Sequence, residues 1–214
     1  MKHPGPLIDS LMAYRKRTAS VFNPWADTCE FDIDKKAPQR RQDRLFKHLS
    51  IVQPKYILVG EAAGYQGCRY SGVTFTSEKM LLQEGIPRIP RLTERLTKRE
   101  LPFCEPSATI VWGALRKHGL AEQTLLWNTF PFHPMREAQI HTNRTPTAKE
   151  IADGGKYLEL LLSLYALAPK VIAVGKKAQA LLTSVGLTSY ACVRHPAFGG
   201  ANEFRAGMAA VGAT

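Results

Sequence analysis

Four short apolar runs, each followed by a glycine or a polar residue, are spaced along the chain. The runs cover residues 56–59, 125–127, 171–174 and 190–193. The first is too short for a helix and shows no alternation of apolar and polar positions, which is typical of a strand buried on both faces of a sheet. We therefore predict four strands. Because helical patterns separate them, the sheet is expected to be parallel or mostly parallel.

Apolar residues recur at helical spacing between and around these runs. The pattern predicts helices at 7–17, 38–50, 106–118, 176–185 and 202–210, with a long helix beginning at the capping box of Thr147 and Glu150. Several prolines within 84–104 predict an ordered loop or short helices there. The expected fold is α/β, a three-layer sandwich with a central four-stranded parallel sheet and helices on both faces. One domain is expected to span residues 1–214.

The predicted helix at 38–50 carries a set of basic residues opposite its apolar stripe. They are Arg40, Arg41, Arg44 and Lys47. We interpret them as a solvated outer face of the helix, since that is the usual place for such charges. A face that contacts DNA is the alternative.

The chain has a large excess of positive charge. Lys and Arg number 29 and Asp and Glu 18, which gives a net charge of +11. A surplus of this size favours a polyanionic partner such as nucleic acid, with a solvated basic surface as the alternative.

No apolar run approaches the roughly 18 residues that span a bilayer, and the first residues lack the apolar core of a secretory signal. No membrane association is expected, and the expected location is the cytoplasm.

The four cysteines do not form a metal-binding pattern. They are Cys29, Cys68, Cys104 and Cys192. None belongs to a C-x-x-C pair, whereas zinc ribbons and most iron–sulfur sites draw on close pairs. We interpret the cysteines as buried thiols and expect neither a metal nor a cofactor.

Polar residues follow each predicted strand. Glu61 begins a glycine-rich loop, Asn128 follows the second strand, Gly175 and Lys176 the third, and His195 the fourth. The carboxyl ends of parallel strands lie on one edge of a sheet, where open α/β folds bind ligands. The sequence therefore predicts one site for a polar, planar or phosphate-bearing ligand. Taken singly, each residue also fits a cap or a structural role.

Three segments carry a more specific signal. They are GEAAGYQGCRYSGVTFT at 60–76, LLWNTFPFHP at 125–134 and RHPAFGG at 194–200, supported by 143–151 and 169–182. These segments occur in the same order and at similar spacing in the uracil-DNA glycosylase superfamily, which the chain resembles over roughly residues 52–205. Such enzymes turn a nucleotide out of the duplex into a pocket that reads the edge of its base.

The resemblance implies roles in binding and releasing the base. Phe75 is expected to stack on the uracil ring, although core packing is the commoner role of a single Phe. Asn128 is expected to pair with the Watson–Crick edge, because an amide offers a donor and an acceptor together. His195 is expected to donate a hydrogen bond to the 2-carbonyl oxygen as negative charge flows onto the departing base.

Further residues are implied to contact DNA. Gly175 and Lys176 match the backbone and helix start that hold a phosphate. Arg194 lies in the third motif, and Phe198, beside two glycines, matches the wedge that enters the base stack.

The first loop departs from the superfamily pattern at several places. Ala62 stands where some branches have an Asp or Asn that positions the water, and it is expected to contact the substrate. Glu61 is similar to the acid of the branch with a GE-A-P-G loop, so we expect it to position the water, stabilise the sugar cation, or both. That branch holds an iron–sulfur cluster, which the cysteine spacing here does not match. Gly64 stands where another branch excludes thymine with a tyrosine, which leaves that exclusion open to Tyr65 or the residues after it.

The resemblance implies an enzyme that hydrolyses the bond between uracil and deoxyribose in single- or double-stranded DNA. We expect it to be monofunctional, because the sequence places no lysine clearly in the pocket for Schiff-base chemistry, and to be a monomer. One alternative is a glycosylase for another deaminated base such as hypoxanthine. A second is a tight binder of uracil-containing or abasic DNA that turns over poorly. A third is an enzyme acting on small nucleotides, which the charge of +11 disfavours.

Overall fold

The computed structural model describes residues 1–15, 18–137 and 139–213. In chain order its elements are α1 (Gly5–Met12), β1 (Val21–Phe22), α2 (Ala37–Leu49), β2 (Tyr56–Ala62), α3 (Cys68–Ser71), α4 (Glu78–Gln83), α5 (Pro106–Lys117), β3 (Thr124–Phe130), β4 (His133–Pro134), α6 (Ala148–Leu162), β5 (Lys170–Val174), α7 (Lys176–Ser184), β6 (Ala191–Val193) and α8 (Ala201–Gly212). None of these helices is both long enough and apolar enough to cross a bilayer.

The centre of the fold is a parallel sheet in the order β3-β2-β5-β6, which confirms the predicted α/β architecture. Alternate residues of β2 enter two separate apolar cores. Ile57 and Val59 pack with α1, α2, α6 and α7 on one face. Tyr56 and Leu58 pack with α4, α5 and α8 on the other. The sheet is therefore covered on both sides, which is why the runs 56–59, 125–127 and 171–174 are apolar throughout.

Two of the strands are longer than predicted. Their pairing continues past the apolar residues, with Gly60 opposite Asn128 and Ala62 opposite Phe130. Glu61 and Ala62 thus lie in the last positions of β2, and Asn128 lies within β3. The prediction that these residues follow the strands was wrong, because backbone pairing does not stop where the side chains become polar.

A small antiparallel pair of strands was not predicted. Val21 pairs with Pro134 and Phe22 with His133, so the segment after α1 is held against the chain that follows β3. Two residues are too few to show any hydrophobic period, and only a partner distant in sequence defines them as a strand.

The interpretation of the basic face of α2 was wrong for two of its arginines. Arg41 and Arg44 are buried, with only 1% and 7% of their surface exposed. Arg41 forms an ion pair with Asp32 at 2.6 Å. The guanidinium of Arg44 donates to the carbonyl oxygens of Ser71 and Tyr70. Because both charges are paired or hydrogen-bonded, burial is tolerated, and Arg44 ties α2 to the segment after the glycine loop.

The loop before α5 is ordered around one buried carboxylate. Glu78 accepts hydrogen bonds from the backbone N–H groups of Leu96, Thr97 and Phe103 and from the Thr97 hydroxyl. These bonds satisfy backbone donors that an irregular, proline-containing segment would otherwise bury unpaired. The predicted ordered loop at 84–104 is confirmed, and it is anchored from α4.

Helix α6 approaches β3 closely at a glycine. It begins at the predicted capping box, in which Thr147 and Glu150 bond reciprocally. A Cβ atom built at Gly154 would collide with the carbonyl oxygen of Thr129. The glycine therefore allows the helix backbone to lie against the end of the strand that carries Asn128.

We expect Gly154→Ala to lower the free energy of unfolding by about 1–3 kcal/mol, since the added methyl group forces α6 away from β3. Gly113→Ala is the matched control, because Gly113 lies in α5 with no atom within 4 Å of its added Cβ. That change should raise stability by up to about 1 kcal/mol through helix propensity. Chemical denaturation of both variants measures the difference. Equal effects at the two glycines would contradict the close approach.

Candidate active site

The carboxyl edge of the sheet opens into a cavity of about 690 Å³. Residues from β2, from the loop after it, from β3 and from the segment after β6 line this cavity. They include Glu61, Ala62, Phe75, Asn128 and His195, all of which the sequence analysis selected for binding or chemistry. The structure brings these five residues together at the predicted edge, while the roles assigned to them stay predictions.

Phe75 is held in an unusual backbone conformation. Its φ of 48° is in the left-handed region, which bulky residues seldom adopt, so the surrounding structure must impose it. The ring lies against Gly60, where an added Cβ would be only 2.9 Å from its Cζ atom. The ring centroid of Phe75 is 6.2 Å from that of His195. The aromatic face thus forms one wall of the cavity between β2 and the segment after β6.

Asn128 is fixed by a residue that the sequence analysis did not select. Its side chain is buried, and its Nδ2 donates to the Thr74 hydroxyl over 3.0 Å. Its Oδ1 lies beside Gly60, where an added Cβ would be 2.7 Å away. Because Thr74 uses one of the two Nδ2 hydrogens, the amide keeps one donor and its Oδ1 acceptor for a ligand.

His195 has a defined tautomer. Its Nδ1 accepts a hydrogen bond from the backbone N–H of Ala197 over 3.1 Å, so Nε2 carries the proton of the neutral ring. Burial, and after it the charge of Arg194, lowers the pKa of His195, which keeps the ring neutral at pH 7. Gly175, at φ 91°, makes room for it, since an added Cβ there would be 3.0 Å from the His195 Cβ.

Glu61 has a cationic partner that was also missed. The Nζ atom of Lys177 lies 3.6 Å from a Glu61 carboxylate oxygen and donates to the Thr145 hydroxyl over 3.0 Å. Lys177 and Thr145 both line the cavity. The sequence does contain two adjacent lysines at the start of α7, but only the orientation of the helix decides which one reaches Glu61.

The residues predicted to contact DNA gather in a neighbouring cavity of about 650 Å³. Gly175, Lys176, Arg194 and Phe198 all line it, and Phe198 borders the first cavity as well. Phe198 is 98% exposed and has a φ of 52°, followed by Gly199 at 80°. An aromatic ring is thus presented to solvent on a tight turn between the two cavities.

A second carboxyl group lines the main cavity and was missed entirely. Oε2 of Glu105 is buried without a hydrogen-bond partner among the described residues. Burial raises the pKa of Glu105 to about 7. In the sequence Glu105 precedes Pro106 at a helix start, where an acid is unremarkable. No local signal therefore distinguishes it from an ordinary residue at a helix terminus.

Other expectations about the loop and the cysteines change with the structure. The Tyr65 ring contacts Phe103 and His141 and is not part of the described cavity wall.

Only Cys68 is fully buried, whereas Cys104 and Cys192 are exposed, so the interpretation of all four as buried thiols was wrong. Within the described ranges, no three His, Cys, Asp or Glu side chains are grouped to hold a metal ion.

Comparisons with known proteins identify the family and the fold. The family model described as the uracil DNA glycosylase superfamily matches residues 46–210. Among solved structures, the crystal structure of wild-type SMUG2 from Pedobacter heparinus is similar in fold, with a TM-score of 0.66 and 18% identity over 100% of both chains. No curated protein matches the sequence.

The buried Glu105 carboxyl should make stability depend on pH. Its folded pKa of about 7 exceeds the ordinary value of 4.5. The stability that the neutral carboxyl contributes is therefore complete below about pH 4.5 and is lost as pH rises through about 7. Glu105→Gln has no charge at this position at any pH. The melting temperature of this variant, relative to that of the unsubstituted protein, should therefore rise from pH 5 to pH 8. Parallel profiles for the two proteins would contradict a raised pKa.

Proposed function

Since this chain belongs to the uracil DNA glycosylase superfamily, we propose that it hydrolyses the bond between uracil and deoxyribose in DNA. The observation that carries this proposal is the single cavity shared by Phe75, Asn128, His195 and Glu61. An aromatic face, an amide, a neutral imidazole and a carboxylate are the groups that binding a planar lactam and breaking its glycosidic bond require. The neighbouring cavity is lined by Lys176, Lys177 and Arg194, as well as by Glu61 and Glu203, and its cationic side chains suit a DNA backbone.

Recognition of the base is assigned to Phe75 and Asn128. The Phe75 ring stacks on the pyrimidine, and its strained backbone holds it ready in that position. Thr74 restrains the Asn128 amide, so Oδ1 accepts from the uracil N3–H and the remaining Nδ2 hydrogen donates to O4. Cytosine carries an acceptor at N3 and an amino group at C4. It would leave both groups of the buried amide unpaired, which costs binding energy.

Departure of the base is assigned to His195. As the glycosidic bond breaks, its electron pair moves onto uracil, and negative charge collects on the 2-carbonyl oxygen. The neutral imidazole donates Nε2–H to that oxygen, since Nδ1 is already occupied by the Ala197 N–H. A donor fixed in advance stabilises the developing charge without having to reorient during the reaction.

The sugar and the attacking water are assigned to Glu61. Loss of the base leaves an oxocarbenium-like sugar, and a carboxylate beside it stabilises the positive charge and orients the water. Lys177 restrains this carboxylate through the ion pair at 3.6 Å. Lys177 lines the cavity, and we assign it to this ion pair and to the Thr145 hydroxyl rather than to a Schiff base. Hydrolysis then leaves an abasic site and an unbroken strand, as expected of a monofunctional enzyme.

DNA binding is assigned to the neighbouring cavity and to Phe198. Lys176 and Arg194 neutralise phosphates. Gly175 precedes the first residue of α7, so the start of this helix also faces the phosphates. The exposed Phe198 enters the stack where the nucleotide is turned out. Since one chain supplies all of these groups, we propose that it acts as a monomer, and that it does so in the cytoplasm.

Release of free uracil from a labelled oligonucleotide tests the substrate. We expect the original chain to release uracil over many turnovers and to leave a strand that breaks only on later alkaline treatment. His195→Ala should slow single-turnover release by about 10²–10³-fold, the usual effect of removing such a donor. Its affinity for DNA, measured by fluorescence anisotropy, should stay within a few-fold.

Other outcomes separate the alternatives. No uracil release by the original chain would overturn the proposed substrate. Release of one equivalent and no more would indicate a binding protein with poor turnover. Unchanged release by His195→Ala would remove this residue from the mechanism.

The choice of acid is tested separately. Glu61→Gln keeps the shape of the side chain and removes its charge, so single-turnover release should fall about 10²-fold. Glu159→Gln is the matched control, because Glu159 is exposed on α6 and the net charge changes equally. An unchanged rate in Glu61→Gln would show that another group orients the water and stabilises the sugar.

A further inference from the structure

Glu105 occupies the cap position of α5 without capping it. Its backbone is extended, at φ −102° and ψ 107°, and its side chain makes no hydrogen bond to the first turn of its helix. An acidic side chain at a helix start ordinarily finds such a bond or at least faces the N-terminal amides. Here the carboxyl lines the cavity that holds Asn128 and Phe75.

The glycine loop is shaped around this carboxyl. A Cβ atom added at Gly67 would collide with Oε2 of Glu105, and its distance to the carboxyl carbon would be 2.7 Å. At Gly64 an added Cβ would lie 4.0 Å from the other oxygen, Oε1. Backbone without side chains thus forms one wall around the acid, and a side chain at position 67 would displace the carboxyl.

One oxygen of this carboxyl has no partner among the described residues. Oε2 is buried and makes no hydrogen bond within the described residues, although about nine in ten buried polar groups in native proteins are paired. An unpaired buried oxygen that borders a ligand cavity indicates that its partner is the ligand. Because burial raises the pKa of Glu105 to about 7, the carboxyl retains a proton near neutral pH and has an O–H to donate.

The charged groups around the cavity do not compensate Glu105. Glu61 pairs with Lys177. The guanidinium of Arg144 donates two hydrogen bonds to the carboxylate of Glu150. The remaining titratable neighbours are uncharged. The pKa of the Cys68 thiol is raised to about 12, mainly by burial and to a smaller extent by Glu105. Burial also keeps His195 neutral.

Glu105 and Asn128 border different parts of the cavity wall. Asn128 and Phe75 meet at Gly60, whereas Glu105 lies against Gly64 and Gly67. The two polar groups are carried by β3 and by the start of α5, so they approach a bound base from different directions. Uracil has only C–H groups on the edge away from its amide groups and offers nothing there to an O–H donor.

We propose that Glu105 determines specificity by donating a hydrogen bond from its protonated carboxyl to an acceptor on the base edge that Asn128 leaves free. Bases with an oxygen or nitrogen acceptor at that edge are then accepted beside uracil. This inference rests on the proposed base-excision function. The acceptor is either the hydroxyl oxygen of a 5-hydroxymethylpyrimidine or the ring nitrogen N7 of a deaminated purine.

Two matched pairs of oligonucleotides distinguish these sources. The first compares 5-hydroxymethyluracil with thymine, which has a methyl group in place of the hydroxymethyl group. The second compares hypoxanthine with 7-deazahypoxanthine, which lacks the N7 acceptor. Single-turnover release and equilibrium binding are measured at pH 6 and pH 8.5. Each rate is divided by uracil release from the same protein, with Glu159→Gln as the charge control.

For at least one pair, the original chain should favour the base with the acceptor by about tenfold at pH 6, the usual effect of one hydrogen bond. This preference should fall about tenfold by pH 8.5, as the carboxyl loses its proton. Glu105→Gln keeps a neutral donor, so it should hold the preference at both pH values. Glu105→Ala should lose the preference at both.

The proposal is overturned if neither pair is discriminated by rate or by affinity, or if Glu105→Ala discriminates as well as the original chain. It is also overturned if the preference of Glu105→Gln falls with pH as the original's does. Failure of the proposed function looks different. In that case uracil is not released, while the affinity ratios within the two pairs still report on Glu105.

Discussion

The site depends on one point of close approach, at Gly60 near the end of β2. There the Phe75 ring and the Asn128 amide both lie where a side chain of residue 60 would project, and an added Cβ would be 2.9 Å and 2.7 Å from them. Any other residue at position 60 would push the aromatic wall and the amide apart. The two groups meet in one cavity because the strand that they contact has glycine at this position.

Buried polar bonds hold the segment that carries Phe75 in its strained conformation. Arg44 binds the carbonyl oxygens of Tyr70 and Ser71, and the Ser77 hydroxyl accepts the N–H of Met80 at the start of α4. Thr74 bonds to Asn128 directly. Since these anchors are buried, their bonds exchange little with water, and the cost of a φ of 48° at Phe75 is offset by the surrounding framework.

The titratable groups that line the cavity differ in burial and in their partners. Glu61 is partly exposed and forms an ion pair with Lys177. Glu105, buried without a partner, has a pKa raised to about 7, and His195 is neutral with its proton on Nε2. The two acids of this cavity thus differ in environment, since one has an ion-pair partner and the other is buried without one, and a neutral imidazole lies in the same cavity.

The sequence by itself determined the four strands of the central sheet, their parallel direction, the capping box of α6 and the five residues that meet in the cavity. It could do so because apolar runs, caps and family motifs are local patterns. Tertiary structure alone decided that Arg41 and Arg44 are buried, that Lys177 faces Glu61, and that Glu105 borders the base cavity. In each case the deciding contact is with a residue distant in sequence, as between Arg44 and Ser71, 27 positions apart. Burial of a charge depends on such partners, and no local pattern shows them.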